Sequence, residues 1–310
     1  MNKKVSVLIA MFLFFSCAGP ERKTEEQKYS SQIIPLEMKG EPFIPELSSD
    51  LNEISGLMIW DNLYWGFNDS GGEPVLFGFD RNGAIQKKVE IGNAGNRDWE
   101  SIAQDEHFIY VGDFGNNSGN RRNLCVYKIK KQDIGQEKQQ GVNADEIKFH
   151  YAKQNQFNYN INTTPFDCEA MLELNGKLYL FSKNWQDKTT WIYQLPTSQG
   201  DYSLHALDTF NVNLLVTGAD ISPDKNKMAL VGYLDYHAFI WIFSDFEGDD
   251  FFNGESSYIS LPDLGAAQTE GICFAGNDSL LISCEAQGII PQQVFLIDLK
   301  ELKYGTHKNQ

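Results

Sequence analysis

Five stretches of this chain are written in one grammar, and no other feature restricts its fold as much. They are "EISGLMIWDNLYWGFND", "DWESIAQDEHFIYVGDFG", "DCEAMLELNGKLYLFSKN", "VTGADISPDKNKMALVGY" and "QTEGICFAGNDSLLISCE". Each carries a polar residue followed by a small one: Ser55-Gly56, Glu100-Ser101, Glu169-Ala170, Thr217-Gly218 and Glu270-Gly271. An apolar run follows, then a turn such as "LNGK", "SPDKNK" or "AGND", then a second run rich in Tyr, Leu and Val. A third run closes each unit, as in "NLCVYKIKK", "FIWIFSDFEGDD" and "QVFLIDLKE". Short runs of β-branched and aromatic residues bounded by Gly, Asn and Asp are strands. The openings fall 45, 69, 48 and 53 residues apart, and units of three or four strands at such a period are the blades of a β-propeller.

The expected fold is therefore all-β, a five-bladed β-propeller. The longest interval holds "GQEKQQGVNADEIKFHYAKQNQFNYNINTTPF", read as a fourth strand plus a polar insertion. Six blades are the alternative, if that insertion hides a degenerate one. The last repeat stops after its third strand, so the N-terminal "SQIIPLEMKG" is expected to supply its outer strand. Closure of this kind joins the chain ends and leaves no free sheet edge. A β-sandwich would also give short strands, but it offers no reason for a small residue at one place in every unit. Strands crowded around a narrow axis do. No long helix is expected, only short turns near "QDIGQ" and "LPDLG".

Residues 1–17, "MNKKVSVLIAMFLFFSC", pair two lysines with an apolar run too short to span a bilayer. The small residue before Cys17 resembles the bacterial lipoprotein box, in which that cysteine is lipidated. A polar tether over 18–32, one propeller domain over 33–304 and a tail over 305–310 complete the expected organisation. The resulting expectation is a membrane-anchored lipoprotein of the cell envelope, facing the periplasm or the cell surface. The net charge of −16 argues against nucleic acid, whose phosphates need a basic stripe. Cys125, Cys168, Cys273 and Cys284 show no zinc spacing. Small buried hydrophobes or a Cys273–Cys284 disulfide are both open for them. Trp65, Trp99, Trp185 and Trp241 are expected to pack between blades or to line a groove.

In each unit the first two strands form an antiparallel hairpin, so the start of one lies beside the end of the other. In a propeller those ends converge on one mouth of the central channel. The first set is Ser55, Glu100, Glu169, Thr217 and Glu270, and the second is Asn68, Asp113, Lys183, Tyr233 and Glu285, with Asp69, Asp98, Asp167 and Asp220 close by in sequence. Crowded carboxylates repel, by on the order of 4 kcal/mol at about 4 Å and an effective dielectric near 20. Protons, Lys183, backbone amides, water or a cation must offset this. Hard oxygen ligands suit Ca²⁺ or Mg²⁺, so a cation held at the channel mouth is one expectation. The alternative is a watery polar channel whose acids bind turn amides. The basic pair Arg121 and Arg122 in "SGNRRN" is placed at the same mouth, to hold a carboxylate or phosphate or to pair with surface acids. No nucleophile elbow, P-loop or zinc-protease motif is present. "DFEGDDFFNGE" superficially resembles a calcium loop, but Phe251 occupies a ligand position, so it is read as a solvated turn.

The motifs "EISGL", "FNDSGG", "DWESIA", "VGDFGNN", "DCEAML" and "TEGICF" resemble those of exported bacterial propellers, the SdiA-regulated family and its phytase- or esterase-like relatives. The resemblance covers roughly Ile34 to Leu299. It implies a propeller in the cell envelope with a central divalent cation, and it carries the family acids, as the expected metal ligands, to Glu100, Glu169 and Glu270. Ser55 and Thr217 depart from that pattern. Three functions are open: binding of a small ligand or envelope protein at the acidic mouth, cation-dependent hydrolysis of lactones or phosphate esters, and a scaffold role in an envelope complex.

Overall fold

The computed structural model describes residues 35–265 and 267–302. The expected signal peptide, lipidated Cys17, tether and tail lie outside the described residues. Two short strands, β1 (Leu36–Glu37) and β2 (Glu41–Ile44), come first. Then follow β3 (Ile54–Trp60), β4 (Leu63–Asn68), β5 (Val75–Phe79) and β6 (Ile85–Ile91). The next run is β7 (Trp99–Gln104), β8 (Phe108–Asp113), β9 (Leu124–Lys130), β10 (Gln139–Val142) and β11 (Ala144–Tyr151). The third is β12 (Cys168–Leu174), β13 (Lys177–Ser182), β14 (Thr190–Pro196), β15 (Gly200–Leu204) and β16 (Ala206–Phe210). The chain ends with β17 (Leu215–Ile221), β18 (Lys227–Leu234), β19 (His237–Ser244), β20 (Glu255–Ser260), then β21 (Thr269–Gly276), β22 (Ser279–Cys284) and β23 (Gln293–Asp298). The only helical pieces among the described residues are single turns, two of them at Lys131–Asp133 and Pro262–Leu264, where short turns were expected.

These strands make five sheets, β3-β4-β5-β6-β10, β7-β8-β9-β11-β15, β12-β13-β14-β16, β17-β18-β19-β20-β1 and β21-β22-β23-β2, here blades 1 to 5. Their first strands are neighbours in a closed ring, β3 to β7 to β12 to β17 to β21 and back to β3. The protein is a five-bladed β-propeller, and the long interval contains no sixth blade. Apolar residues fill five layers, one between each pair of adjacent blades. Trp65, Trp99 and Trp241 are buried in these layers.

The ring closes through the N-terminus, but not with the segment expected. The strand that completes blade 5 is β2, antiparallel to β23. Among the described residues of "SQIIPLEMKG", Leu36–Glu37 is the strand, and it runs parallel to β20 on the outer edge of blade 4. The same step recurs elsewhere. β10 lies parallel to β6 of blade 1 before the chain enters β11 of blade 2. β15 lies parallel to β11 of blade 2 before the chain enters β16 of blade 3. The chain thus touches the preceding blade's edge before filling its own, which covers edge hydrogen-bonding groups. The polar insertion is part of this latch.

Blade 4 reaches back differently. Phe251 was expected in a solvated turn but is 1% exposed, with its ring edge-on to Tyr179 of blade 3 at 5.2 Å. The Tyr179 hydroxyl donates to Asp249 in the same loop. An aromatic pair in a charged sequence found an apolar wall on the neighbouring blade, which a local pattern does not reveal.

The recurring small residue has the expected steric cause. A Cβ on Gly271 would lie 2.7 Å from the Gly56 carbonyl carbon on the next inner strand, and one on Gly218 would lie 3.2 Å from Glu270 O. Small hydroxyls stitch the same positions: Ser55 Oγ donates to Glu100 O at 3.1 Å, Met171 N donates to Ser101 Oγ at 3.0 Å, and Thr217 Oγ1 donates to Thr269 O at 2.6 Å. Gly271→Ala should destabilise the protein by about 1–3 kcal/mol through overpacking, read as a lower urea midpoint. Gly95→Ala, where an added Cβ meets open space, should leave the midpoint unchanged. Equal midpoints for both variants would show that the inner strands are not in close contact.

Candidate functional site at the channel mouth

Every inner strand breaks its register at the same place. The shift falls between Ser55 and Met58, Trp99 and Ser101, Cys168 and Ala170, Val216 and Gly218, and Thr269 and Gly271. A β-bulge leaves one residue unpaired and re-aims its side chain. The residues so released are Glu100, Glu169, Thr217 and Glu270, with Gly56-Leu57 taking the place in blade 1. The polar-plus-small signature is therefore a bulge signature, and the bulges turn three glutamates toward one mouth.

Electrostatic coupling shows the convergence. Glu100 feels Glu169, Asp69, Asp98 and Asp167. Glu285 feels Glu270, Asp69, Glu53 and Lys183. Tyr233 feels Lys183, Glu169 and Glu270. Residues from all parts of the chain are thus neighbours, although Glu100, Glu169 and Glu270 are 7%, 6% and 5% exposed.

The charges divide unevenly. Lys183 Nζ lies 2.5 Å from Glu169 Oε2, with the Trp185 and Tyr233 rings each 5.1 Å away. Burial would pull the Lys183 pKa down, but Glu169, Glu270 and Asp167 outweigh it and hold it well above the usual lysine value. Asp167 accepts from Asn116 N, Cys168 N and Trp185 Nε1. Trp185 thus belongs to the mouth. Asp113 is paired with Arg121 at 2.6 Å and accepts from Asp98 N at 3.2 Å.

Asp69, Asp98 and Glu100 are left. One carboxylate oxygen of each lies within 4.8 Å of the other two, and none makes an ion pair among the described residues. Of the expected ligands only Glu100 is in this triad. Glu169 is engaged by Lys183, and Glu270 also feels that lysine. Asp69 follows β4 of blade 1, and the Asn96 amide pins it to blade 2 by donating to Asn68 O at 2.8 Å and Asp69 O at 2.7 Å. Gly115 completes the arrangement, because a Cβ there would collide with Glu100 Oε1 and Asp98 Oδ2. Sequence reasoning did not single out Asn96 or Gly115, though "NRDWE" and "GDFGNN" contain them. Asn68 does not present its amide to the mouth: Nδ2 donates to Asp50 O at 2.7 Å.

Arg121 is a brace within this scaffold, donating to Gly115 O and to both Asp113 O and Asp113 Oδ1. Arg122 is set apart from the mouth, with its guanidinium 3.5 Å above the Phe157 ring. Among the described residues, Cys125, Cys168, Cys273 and Cys284 are buried and unpaired.

Burial, then repulsion from Asp69, pushes Asp98 up to about 7. Burial also raises Glu270 to about 7 against the pull of Lys183. It raises Glu285, with Glu270 and Asp69, to about 8. An acid whose pKa is higher folded than unfolded binds more protons in the native state, so stability falls as pH rises between the two values. For Glu270 and Glu285 that window runs from about 4.5 to 8. Without divalent cations, the melting temperature should fall across this range, and Glu285→Gln should flatten the fall. A melting temperature that rises from pH 5 to 8 would contradict the crowded mouth.

No protein-family model matches the chain, and no curated protein matches it. Among solved structures, the chain is similar to a glucose dehydrogenase (7% identity, TM-score 0.46, covering 83% of this chain and 99% of that one). It is also similar to regucalcin of Agrobacterium tumefaciens, a calcium-binding protein (10% identity, TM-score 0.43, 86% and 95%). A third is hydrazine synthase of Kuenenia stuttgartiensis (13% identity, TM-score 0.37), where 88% of this chain spans 66% of that one.

Proposed function

We propose that this chain is a lipid-anchored propeller of the cell envelope that binds a small oxygen-bearing ligand at its acidic mouth, through a divalent cation held by Asp69, Asp98 and Glu100. One observation carries the reading: three carboxylates from two blades meet within 4.8 Å, with no cationic side chain paired to them among the described residues. The donor set fits a hard cation. Carboxylate oxygens suit Ca²⁺ or Mg²⁺, and three residues leave room in a shell of roughly six to eight oxygens for water and ligand. A bound cation would offset the burial and repulsion that raise these acids and would polarise a ligand oxygen. Lys183, Glu270 and Glu285 line the same opening and would orient what binds. The signal-like N-terminus, Cys17 and the motif resemblance to exported propellers support the envelope setting.

The test is a melting curve at pH 7.5 with Ca²⁺, Mg²⁺ or EDTA. Either cation should raise the melting temperature, and Asp98→Asn or Gly115→Ala should remove the rise. The glycine variant keeps every carboxylate and changes only the space between them. No response of the parent protein to either cation would discard the reading.

A second reading is hydrolysis of a lactone or phosphate ester, and Glu285 favours it. Its carboxyl, raised to about 8, can give or take a proton near neutral pH, as general acid–base catalysis requires. Glu285 would move the proton while Lys183 holds the anionic end of the substrate. In a screen of lactones and phosphoesters, activity should depend on divalent cation and fall about 100-fold in Glu285→Gln. Absence of turnover on every substrate would leave the binding reading alone.

A further inference from the structure

We propose that a cavity on the outer half of blade 2 is a second ligand site, which takes a small carboxylate or phosphate carried on an apolar body. The cavity holds about 480 Å³, within the usual range of roughly 300–1,000 Å³ for small-molecule sites. It is formed where β9, β11 and the loop after β11 meet.

Its charge is the unusual part. The His150 ring lies 3.7 Å from Asp201, and two cations on the walls are matched: Arg121 by Asp113, and Lys148 by Glu146 at 3.1 Å. Arg122 is not. Its guanidinium makes no ion pair or hydrogen bond among the described residues and rests on the Phe157 ring at 3.5 Å. A guanidinium stacked on an aromatic face keeps its edge free, and that edge presents paired N–H groups matched to a carboxylate or phosphate. This one stands uncompensated on a chain whose net charge is −16.

Arg121 also lines the cavity, but its guanidinium is turned to Gly115 and Asp113. Leu124 and Phe149, both buried, give the cavity an apolar wall beside Arg122. A free guanidinium edge above a hydrophobic wall describes a site for an anion with an apolar body. The site differs from the mouth in charge and in position. Arg121 joins them, because the Asp113 it pairs with also receives Asp98 N.

The test is calorimetric titration of the full chain in EDTA, which removes any cation at the mouth. The probes are phenyl phosphate and benzoate, with benzyl alcohol as the neutral control. At least one anion should bind saturably, and which one binds identifies the headgroup. Arg122→Ala should weaken that binding by about tenfold or more, the weight of a hydrogen bond to a charged group, and Phe157→Ala should weaken it as well. Arg122 is exposed, so its variant should melt as the parent does. Binding that is equal for benzyl alcohol, unaffected by Arg122→Ala, or absent for both anions would overturn the proposal.

Discussion

The closeness of five inner strands around one axis governs the rest of this molecule. A Cβ on Gly271 would sit 2.7 Å from the backbone of Gly56 on the adjacent inner strand. Side chains cannot be accommodated there, so each strand carries a small residue and steps out of register beside it. The step releases one side chain from the ladder. In blades 2, 3 and 5 that side chain is a glutamate. Packing geometry and site chemistry are thus two consequences of one steric limit.

Charge at the mouth is then sorted by partners. Lys183 stabilises Glu169, and three N–H donors satisfy Asp167. Arg121 stabilises Asp113, and with it the loop that presents Gly115. Asp69, Asp98 and Glu100 have no comparable partner, and burial compounds their repulsion. Such a group of acids is held together by the surrounding fold and not by its own interactions. Perturbed acids in a cleft are a common mark of a functional site.

Closure around the ring rests on repeated latches. β1, β10 and β15 each add a parallel strand to the preceding blade, and the loop carrying Phe251 buries its ring on blade 3. β2 then joins the first part of the chain to the last. These contacts tie each blade to its neighbour at the rim, while apolar layers do so inside. A mouth built from different blades needs this, because relative movement of blades 1 and 2 would separate Asp69 from Asp98.

The sequence by itself determined the strands of the repeats, the five blades and the place in each repeat where the inner strand breaks register. Those properties are periodic and local: alternation of apolar residues, turn residues between them, and one small residue where strands crowd. It did not determine which acids become partners. Glu100, Glu169 and Glu270 occupy equivalent places in the repeat, yet only Glu100 joins a triad, because Lys183 reaches Glu169 and Asn96 draws Asp69 across to blade 2. Arg121 and Arg122 are adjacent in the chain and serve different places for a similar reason. Asp113 lies within reach of one, and Phe157, 35 residues on, lies under the other. Pairing depends on distances between side chains from different blades, and only the closed ring sets those distances.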